Sequence, residues 1–436
     1  MLEKVGKNFS PNLRRIVGNT AWLFGEKVFQ LGLGLLVGVW VARYLGPSRF
    51  GVINYAIAYV GLIEPLAKLG LDQIIVRDLA RDSSHQSETL GTGFYLKLLV
   101  GLTNLVVLVS TVMYLKRGNP DAQWSVAIFA IASALTAFGV IEFWFQSQVE
   151  AKYIVWPRNI AYICTNVLKV ILIQIKAPLV AFVVALFLEQ ALAYFGMVIA
   201  YHLRGYSMRA WKFSKKRARS LLRESWPLML SSMVIFVYMR IDQLMLGSMI
   251  GDEAVGIYSA AVKISEMWYF VPIAILQSVF PSIVQAKDIS QETYNHRMQK
   301  ILNLMALVSY SVAIPITLIS PYLIQIMYGP KYAGAASMLT ILVWSGLFAS
   351  LGMARESWLT TEGLMKFSAA MAATGALVNV VLNYFLIPKY GGDGASIATL
   401  ISQFLAAYLA GAFYSRTRPV FWKQTKALTL LGWIKR

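Results

Sequence analysis

The chain has 436 residues, 57% of them hydrophobic and only 14% charged, against about 25% charged in ordinary globular proteins. So few charges could not cover a soluble surface of this size, which excludes a soluble enzyme. The net charge of +19, from 40 Lys and Arg against 21 Asp and Glu, points to nucleic acid or an anionic membrane surface, and the position of the charges decides between them.

Residues 1–15 are polar and basic, and the apolar run behind them is too long for a signal-peptide core, so no cleavable signal is expected. From there, runs of about 17 to 25 mainly apolar residues recur, the length that crosses a hydrocarbon core about 30 Å thick. They predict an all-α polytopic membrane protein with twelve transmembrane helices near 16–42, 51–75, 91–115, 124–145, 159–175, 178–201, 226–249, 256–280, 301–325, 335–354, 367–387 and 395–414. Twelve spans place both termini on one side. The connections on that side hold 27 Lys and Arg and those on the other hold 7, so the termini are assigned to the cytoplasm by the positive-inside rule. The basic excess is therefore mostly a topology signal, with no nucleic-acid partner expected.

The single cysteine, Cys164, lies in an apolar run, and His85, His202 and His296 fall in polar loops. Neither an internal disulfide nor a Cys or His metal site is available. Five of the twelve tryptophans, Trp22, Trp124, Trp156, Trp226 and Trp422, lie near span ends and suit a membrane-interface belt.

Residues 202–225 carry eight Lys and Arg against one acid, Glu224. This stretch reads as a positive-inside anchor and as an interfacial helix that could dip Trp211, Phe213, Leu221 and Leu222 while its basic face holds anionic inner-leaflet lipids. It divides the chain into an N-terminal six-helix lobe (1–201), the basic cytoplasmic linker (202–225), a C-terminal six-helix lobe (226–414) and a basic cytoplasmic tail (415–436). A repeat supports two pseudo-symmetric lobes. Gly46-Pro47-Ser48-Arg49-Phe50-Gly51 after span 1 returns as Gly251-Asp252-Glu253-Ala254-Val255-Gly256 after span 7, and again as Gly329-Pro330-Lys331-Tyr332-Ala333-Gly334 after span 9. Glycine suits such turns because it tolerates positive φ, and recurrence after six spans indicates two halves of parallel orientation.

Charges at bilayer depth cost at least ~2.5 to 3.5 kcal/mol each on insertion scales, so each requires a partner, a cavity or an interface. The embedded cations are Lys27, Lys68, Lys97, Lys169, Arg240 and Lys263; the embedded acids are Glu26, Glu64, Glu142, Glu189, Asp242 and Glu266. Most sit on the first two helices of each half. Helical spacing lets Glu64 pair with Lys68 and Lys263 with Glu266, whereas Glu26 and Lys27, and Arg240 and Asp242, point apart. Lys27 and Arg240 therefore need something from elsewhere. Trp268 and Tyr269, just after Glu266, are candidate cavity-wall residues.

The stretch from Tyr44-Leu45-Gly46-Pro47 through Phe50-Gly51 and Gly70-Leu71-Asp72 to Val76-Arg77-Asp78-Leu79 resembles the opening of Wzx-type polysaccharide flippases. Arg240-Ile241-Asp242-Gln243 through Gly256-Ile257-Tyr258-Ser259 to Lys263-Ile264-Ser265-Glu266 does so too. These flippases belong to the multidrug/oligosaccharidyl-lipid/polysaccharide exporter superfamily. The resemblance implies two lobes around a central cavity in the bacterial cytoplasmic membrane. It implies a non-enzymatic flippase that carries an undecaprenyl-pyrophosphate-linked glycan to the outer leaflet by alternating access, for O-antigen, capsule or exopolysaccharide synthesis, beside polysaccharide polymerase machinery. On that footing Lys27, Arg240, Lys263 and Arg77 are the expected pyrophosphate ligands. Glu26, Glu64, Asp242 and Glu266 would balance them or bind a coupling H+ or Na+, and no cofactor or metal is expected. The alternatives are a cation-coupled multidrug antiporter of the same superfamily and a membrane polysaccharide polymerase. The second fits poorly, because the outer loops are all under about ten residues by these span limits.

Overall fold

The computed structural model describes residues 11–82 and 84–429, with side chains described from Gly25 onward. The side chains of Lys4, Lys7, Arg14, Arg15, Trp22, Lys435 and Arg436 lie outside the described residues. Helices follow one another along the chain, and no strand occurs among the described residues. In hydrocarbon this is the economical solution, since a helix satisfies its own N–H and C=O groups.

The order is α1 (Pro11–Lys68), α2 (Asp72–Arg81), α3 (Gln86–Leu115), α4 (Pro120–Leu135), α5 (Val140–Ser147), α6 (Lys152–Gln174) and α7 (Leu179–Leu203). There follow α8 (Lys215–Met249), α9 (Asp252–Glu266), α10 (Phe270–Ile289), α11 (Gln291–Tyr328), α12 (Ala335–Thr361), α13 (Met365–Gln403), a π-helical stretch at Phe404–Leu409, α14 (Ala410–Phe413) and α15 (Arg418–Leu428). Local chemistry sets several boundaries. Asn119 accepts a hydrogen bond from the Ala122 amide and Pro120 opens α4, while Ser290 accepts from the Thr293 amide at the start of α11.

Nine helical runs among the described residues are long and apolar enough to cross a membrane. Two of them are bent and each holds two expected spans: α1 turns at Gly46 and α13 at Gly391, where the backbone is non-helical. The run at α6 is missing from the nine because Arg158, Asn159, Asn166 and Lys169 make it more polar than the rest.

The chain forms two compact units. Described residues up to Leu45, with Ala56–Met233, make the first; Gly46–Tyr55, with the described residues from Val234 on, make the second. The first has a core of Leu71, Ile75, Leu90, Ile141, Trp144, Phe145 and Tyr201. The second packs Leu302, Met305, Leu351 and Leu359 with Val420 and Ala427 of the C-terminal helix α15.

The 202–225 segment differs from the expected interfacial helix. It is the end of α7, an irregular stretch with one short 3-10 turn, and the start of α8. Trp211 and Leu221 are buried in the first unit's core, with the Trp211 ring tilted against Phe94 at 5.4 Å between centroids and its indole N–H donating to Tyr201. Only Phe213 and Leu222 of the four apolar residues are exposed. A protein core offered Trp211 both apolar contact and a hydrogen-bond acceptor, which an interface offers less completely. The segment is also tied down through polar atoms, by Lys212 N–H to the Ser87 carbonyl and Ser214 N–H to Thr92 Oγ1.

The glycine repeat is a packing device within the second unit. Gly46, Gly251 and Gly329, which begin the three copies, have φ of 71°, 129° and 86°. The closing glycines Gly51 and Gly256 lie against each other's copy. A Cβ on Gly51 would sit 1.6 Å from the Asp252 carbonyl oxygen, and one on Gly256 would sit 2.0 Å from the Pro47 carbonyl oxygen. These are backbone atoms that cannot rotate away. Gly51→Ala or Gly256→Ala should therefore lower stability by more than the ~1 to 3 kcal/mol typical of overpacking. The check is the melting temperature and folded yield in detergent, with Gly32→Ala, at an exposed helical position where a Cβ meets nothing within 4 Å, as the control.

Candidate functional site

In the first unit, α1, α6 and α7 surround a cavity of about 460 Å³ lined by Glu26, Lys27, Gln30, Arg158, Glu189 and Gln190, with the phenols of Tyr162 and Tyr194 on its wall. Residues 26, 27 and 30 share about one turn of α1, and 186, 189, 190, 193 and 197 recur at helical spacing along α7. Glu26 is buried and accepts from Gln30 Nε2 at 3.1 Å; Lys27 beside it is exposed. Arg158 donates to Glu142 at 2.6 Å. Lys169 Nζ and Thr165 Oγ1 both donate to Oε2 of Glu189, at 2.9 and 3.1 Å. Tyr162 donates to the Gln30 backbone carbonyl at 2.9 Å. A smaller cavity of about 170 Å³ has Glu64 on its wall and shares Gln190 with the larger one.

Other sequence-predicted groups of this unit are engaged elsewhere. Glu64 and Lys68 form the expected i,i+4 pair at 2.8 Å. Lys97 is buried, with its ammonium 4.7 Å from the centroid of the Phe143 ring. Arg77, a candidate to collect the substrate, pairs with Asp78 and with Glu224, each at 2.7 Å, while Arg217 takes the other oxygen of Asp78 at 2.6 Å. These four groups fasten the start of α8 to α2.

In the second unit, Asp242 is 3% exposed and accepts three hydrogen bonds, from Tyr258 at 2.7 Å, Thr399 at 2.7 Å and Asn383 at 2.5 Å. Asn383 also donates to Asn379 Oδ1 at 3.0 Å, and its own Oδ1 has no hydrogen-bond partner. The oxygens of Asp242, Asn379, Asn383 and Thr399 thus gather where α8 meets the two halves of α13. Oxygen-only sets of this kind suit hard cations.

Arg240 donates to both oxygens of Glu266, at 2.9 and 3.4 Å. The spacing that would pair Lys263 with Glu266 is overridden, because a planar guanidinium from α8 reaches both carboxylate oxygens at once. Lys263 Nζ lies 4.5 Å from the centroid of the Phe50 ring. Trp268 is buried against α12, where a Cβ on Gly346 would come within 2.6 Å of its ring, and Tyr269 lies beside the same glycine.

The ten candidate site residues fall in both units. Glu26 and Lys27 meet in the first unit's cavity, Glu64 faces the smaller cavity, and Arg77 is in the α2–α8 ion network. Asp242, Arg240 with Glu266, Lys263, Trp268 and Tyr269 belong to the second unit. Sequence reasoning missed Arg158, counted as a loop cation, and the neutral groups Asn379, Asn383 and Thr399 gathered around Asp242. The available signal for the asparagines was their i,i+4 spacing inside an apolar run, where an unpartnered amide is costly.

A family model described as polysaccharide biosynthesis protein matches residues 16–287, and one described as MatE matches residues 227–385. A putative O-antigen transporter of Shigella flexneri is 26% identical over 424 residues, 93% of this chain and 99% of that protein. The probable flippase AglR of Haloferax volcanii is 24% identical over 91% of this chain and 83% of its own length. Among solved structures, the lipid II flippase MurJ in an inward closed conformation has a TM-score of 0.73 at 13% identity, covering 95% of this chain and 91% of that one. An inward-facing multidrug resistance MATE family transporter of the MOP superfamily has a TM-score of 0.72 at 17% identity, covering 92% and 95%. These structures share the fold.

Arg240 and Glu266 are part-buried, with side chains 28% and 27% exposed, and Arg240→Ala should destabilise the second unit by about 1 to 3 kcal/mol, the cost of leaving a carboxylate without its donors. The exchange Arg240→Glu with Glu266→Arg should recover most of the melting temperature. A double variant no more stable than Arg240→Ala would mean that the pair does not hold α8 to α9.

Proposed function

The chain belongs to the polysaccharide biosynthesis protein family, and from that membership we propose that it is a flippase for a lipid-linked glycan. Its substrate is an oligosaccharide on undecaprenyl pyrophosphate, moved from the cytoplasmic to the outer leaflet by alternating access of a twelve-span bundle in the bacterial cytoplasmic membrane. The product feeds O-antigen, capsule or exopolysaccharide synthesis. The observation that carries this reading is the end-to-end match to a putative O-antigen transporter. The embedded charges support it, since a polar headgroup crossing hydrocarbon requires polar groups along its way.

In this reading Lys27 contacts the pyrophosphate from the first unit, and Arg240 and Lys263 do so when the cycle brings them to substrate. The coupling ion, H+ or Na+, occupies the oxygen cluster around Asp242. Asn383 Oδ1, buried with no donor, is the ligand oxygen that a bare cation would satisfy. Anionic lipids of the inner leaflet contact the exposed basic side chains at the start of α8, where Lys215, Lys216, Arg219 and Arg223 line a shallow concavity. The MatE match supports a second reading, a cation-coupled multidrug antiporter.

Deletion of the gene should remove surface polysaccharide, the wild-type gene should restore it, and Lys27→Ala should not, at equal membrane abundance. Normal polysaccharide together with new drug sensitivity would replace the flippase with the antiporter. In proteoliposomes, Asp242→Asn should abolish the stimulation of glycolipid transport by an imposed Na+ or pH gradient. Stimulation as large as that of the wild type would remove the ion from this cluster.

A further inference from the structure

The first unit's cavity has a lining ill-suited to an anion. Its two cations, Lys27 and Arg158, face two carboxylates, Glu26 and Glu189, and Arg158 is already held by Glu142 at 2.6 Å. A pyrophosphate entering it would meet as much negative as positive charge, at a depth where like charges are weakly screened. The remaining polar groups are two carboxamides and two phenols, Gln30, Gln190, Tyr162 and Tyr194. Carboxamides donate and accept, and ionised carboxylates only accept. Both protein donors to Glu189 land on Oε2, which leaves Oε1 as an acceptor for a ligand hydroxyl.

An array of acceptors interleaved with bifunctional amides and flanked by phenol rings is complementary to a neutral polyol. We propose that this cavity is a sugar-recognition site, with Glu189, Gln190 and Gln30 hydrogen-bonding ring hydroxyls and Tyr162 and Tyr194 forming its walls. Its volume of about 460 Å³ falls within the range of small-ligand pockets. Lys27 is exposed on the same cavity, so a sugar seated inside places the adjoining phosphate against that ammonium. The sugar read here is the one bonded to the pyrophosphate. This assignment rests on the flippase reading and gives the glycan, rather than the lipid anchor alone, a part in substrate choice. A site built on hydrogen bonds discriminates strongly, because a ligand lacking the hydroxyl leaves buried polar groups unpaired.

The test uses the full chain in nanodiscs and compares its affinity for bare undecaprenyl pyrophosphate with that for the same lipid carrying one sugar, N-acetylglucosamine, N-acetylgalactosamine or galactose. At least one sugar-bearing lipid should bind about tenfold tighter than the bare lipid. Gln190→Leu, confirmed as folded by its melting temperature, should collapse that ratio to about one, and Gln190→Glu, which keeps an acceptor, should restore part of it. Equal binding of all four lipids by the wild type overturns the sugar site and leaves the flippase reading standing. A ratio unchanged in Gln190→Leu also overturns it, since the amide would then serve packing or the phosphates. If the wild type binds none of the lipids, the flippase reading itself fails and the sugar site with it.

Discussion

A charge placed in hydrocarbon has to be answered by another charge, by hydrogen-bond donors or by an aromatic face, and each embedded charge with a partner described above follows one of these routes. Lys68 is answered by Glu64, Lys169 by Glu189 and Arg240 by Glu266. Asp242 has three donors, and Lys97 and Lys263 each lie over an aromatic ring. Because pairing partners come from different helices in most cases, the same contacts that solvate the charges also set which helices adjoin. The alternative, leaving any of them to lipid, would cost several kcal/mol apiece.

The two units use this requirement differently. In the first, charges and amides border an open cavity, so part of their hydrogen-bonding capacity is available to a ligand. In the second, Asp242 already accepts three hydrogen bonds from protein groups and Glu266 is held by a guanidinium, which leaves less for a large polar substrate than the first unit's cavity does. On the flippase reading proposed above, an ion at the Asp242 cluster and a glycan in the first unit's cavity would draw on different oxygens, because the two sets belong to separate compact units.

Much of this was legible in the residues. Length and apolarity exposed the long helices, helical spacing found the Glu64–Lys68 pair, and the glycine repeat marked turns that adopt positive φ. The limits were of two kinds. Pairing between helices, as in Arg240 with Glu266, depends on which faces meet in three dimensions, and a one-dimensional spacing rule favoured Lys263 by default. Neutral polar groups such as Asn379, Asn383, Thr399 and Gln190 carry no charge to draw notice, although burial gives them the same obligation to find partners. Trp211 misled for a related reason: a basic neighbourhood suggested the membrane surface, and a pocket in the protein's own core competed better for the ring.

The grouping of Gly46–Tyr55 with the second unit has a consequence for biosynthesis. Its partner turn begins at Gly251, 205 residues later, so at about 5 to 20 residues per second the ribosome takes roughly 10 to 40 s to supply it. During that interval the turn at Gly46–Gly51 lacks the Asp252 and Gly256 backbone that it packs against in the folded chain. A chain that ends before the second turn would thus leave the first turn without the backbone it packs against.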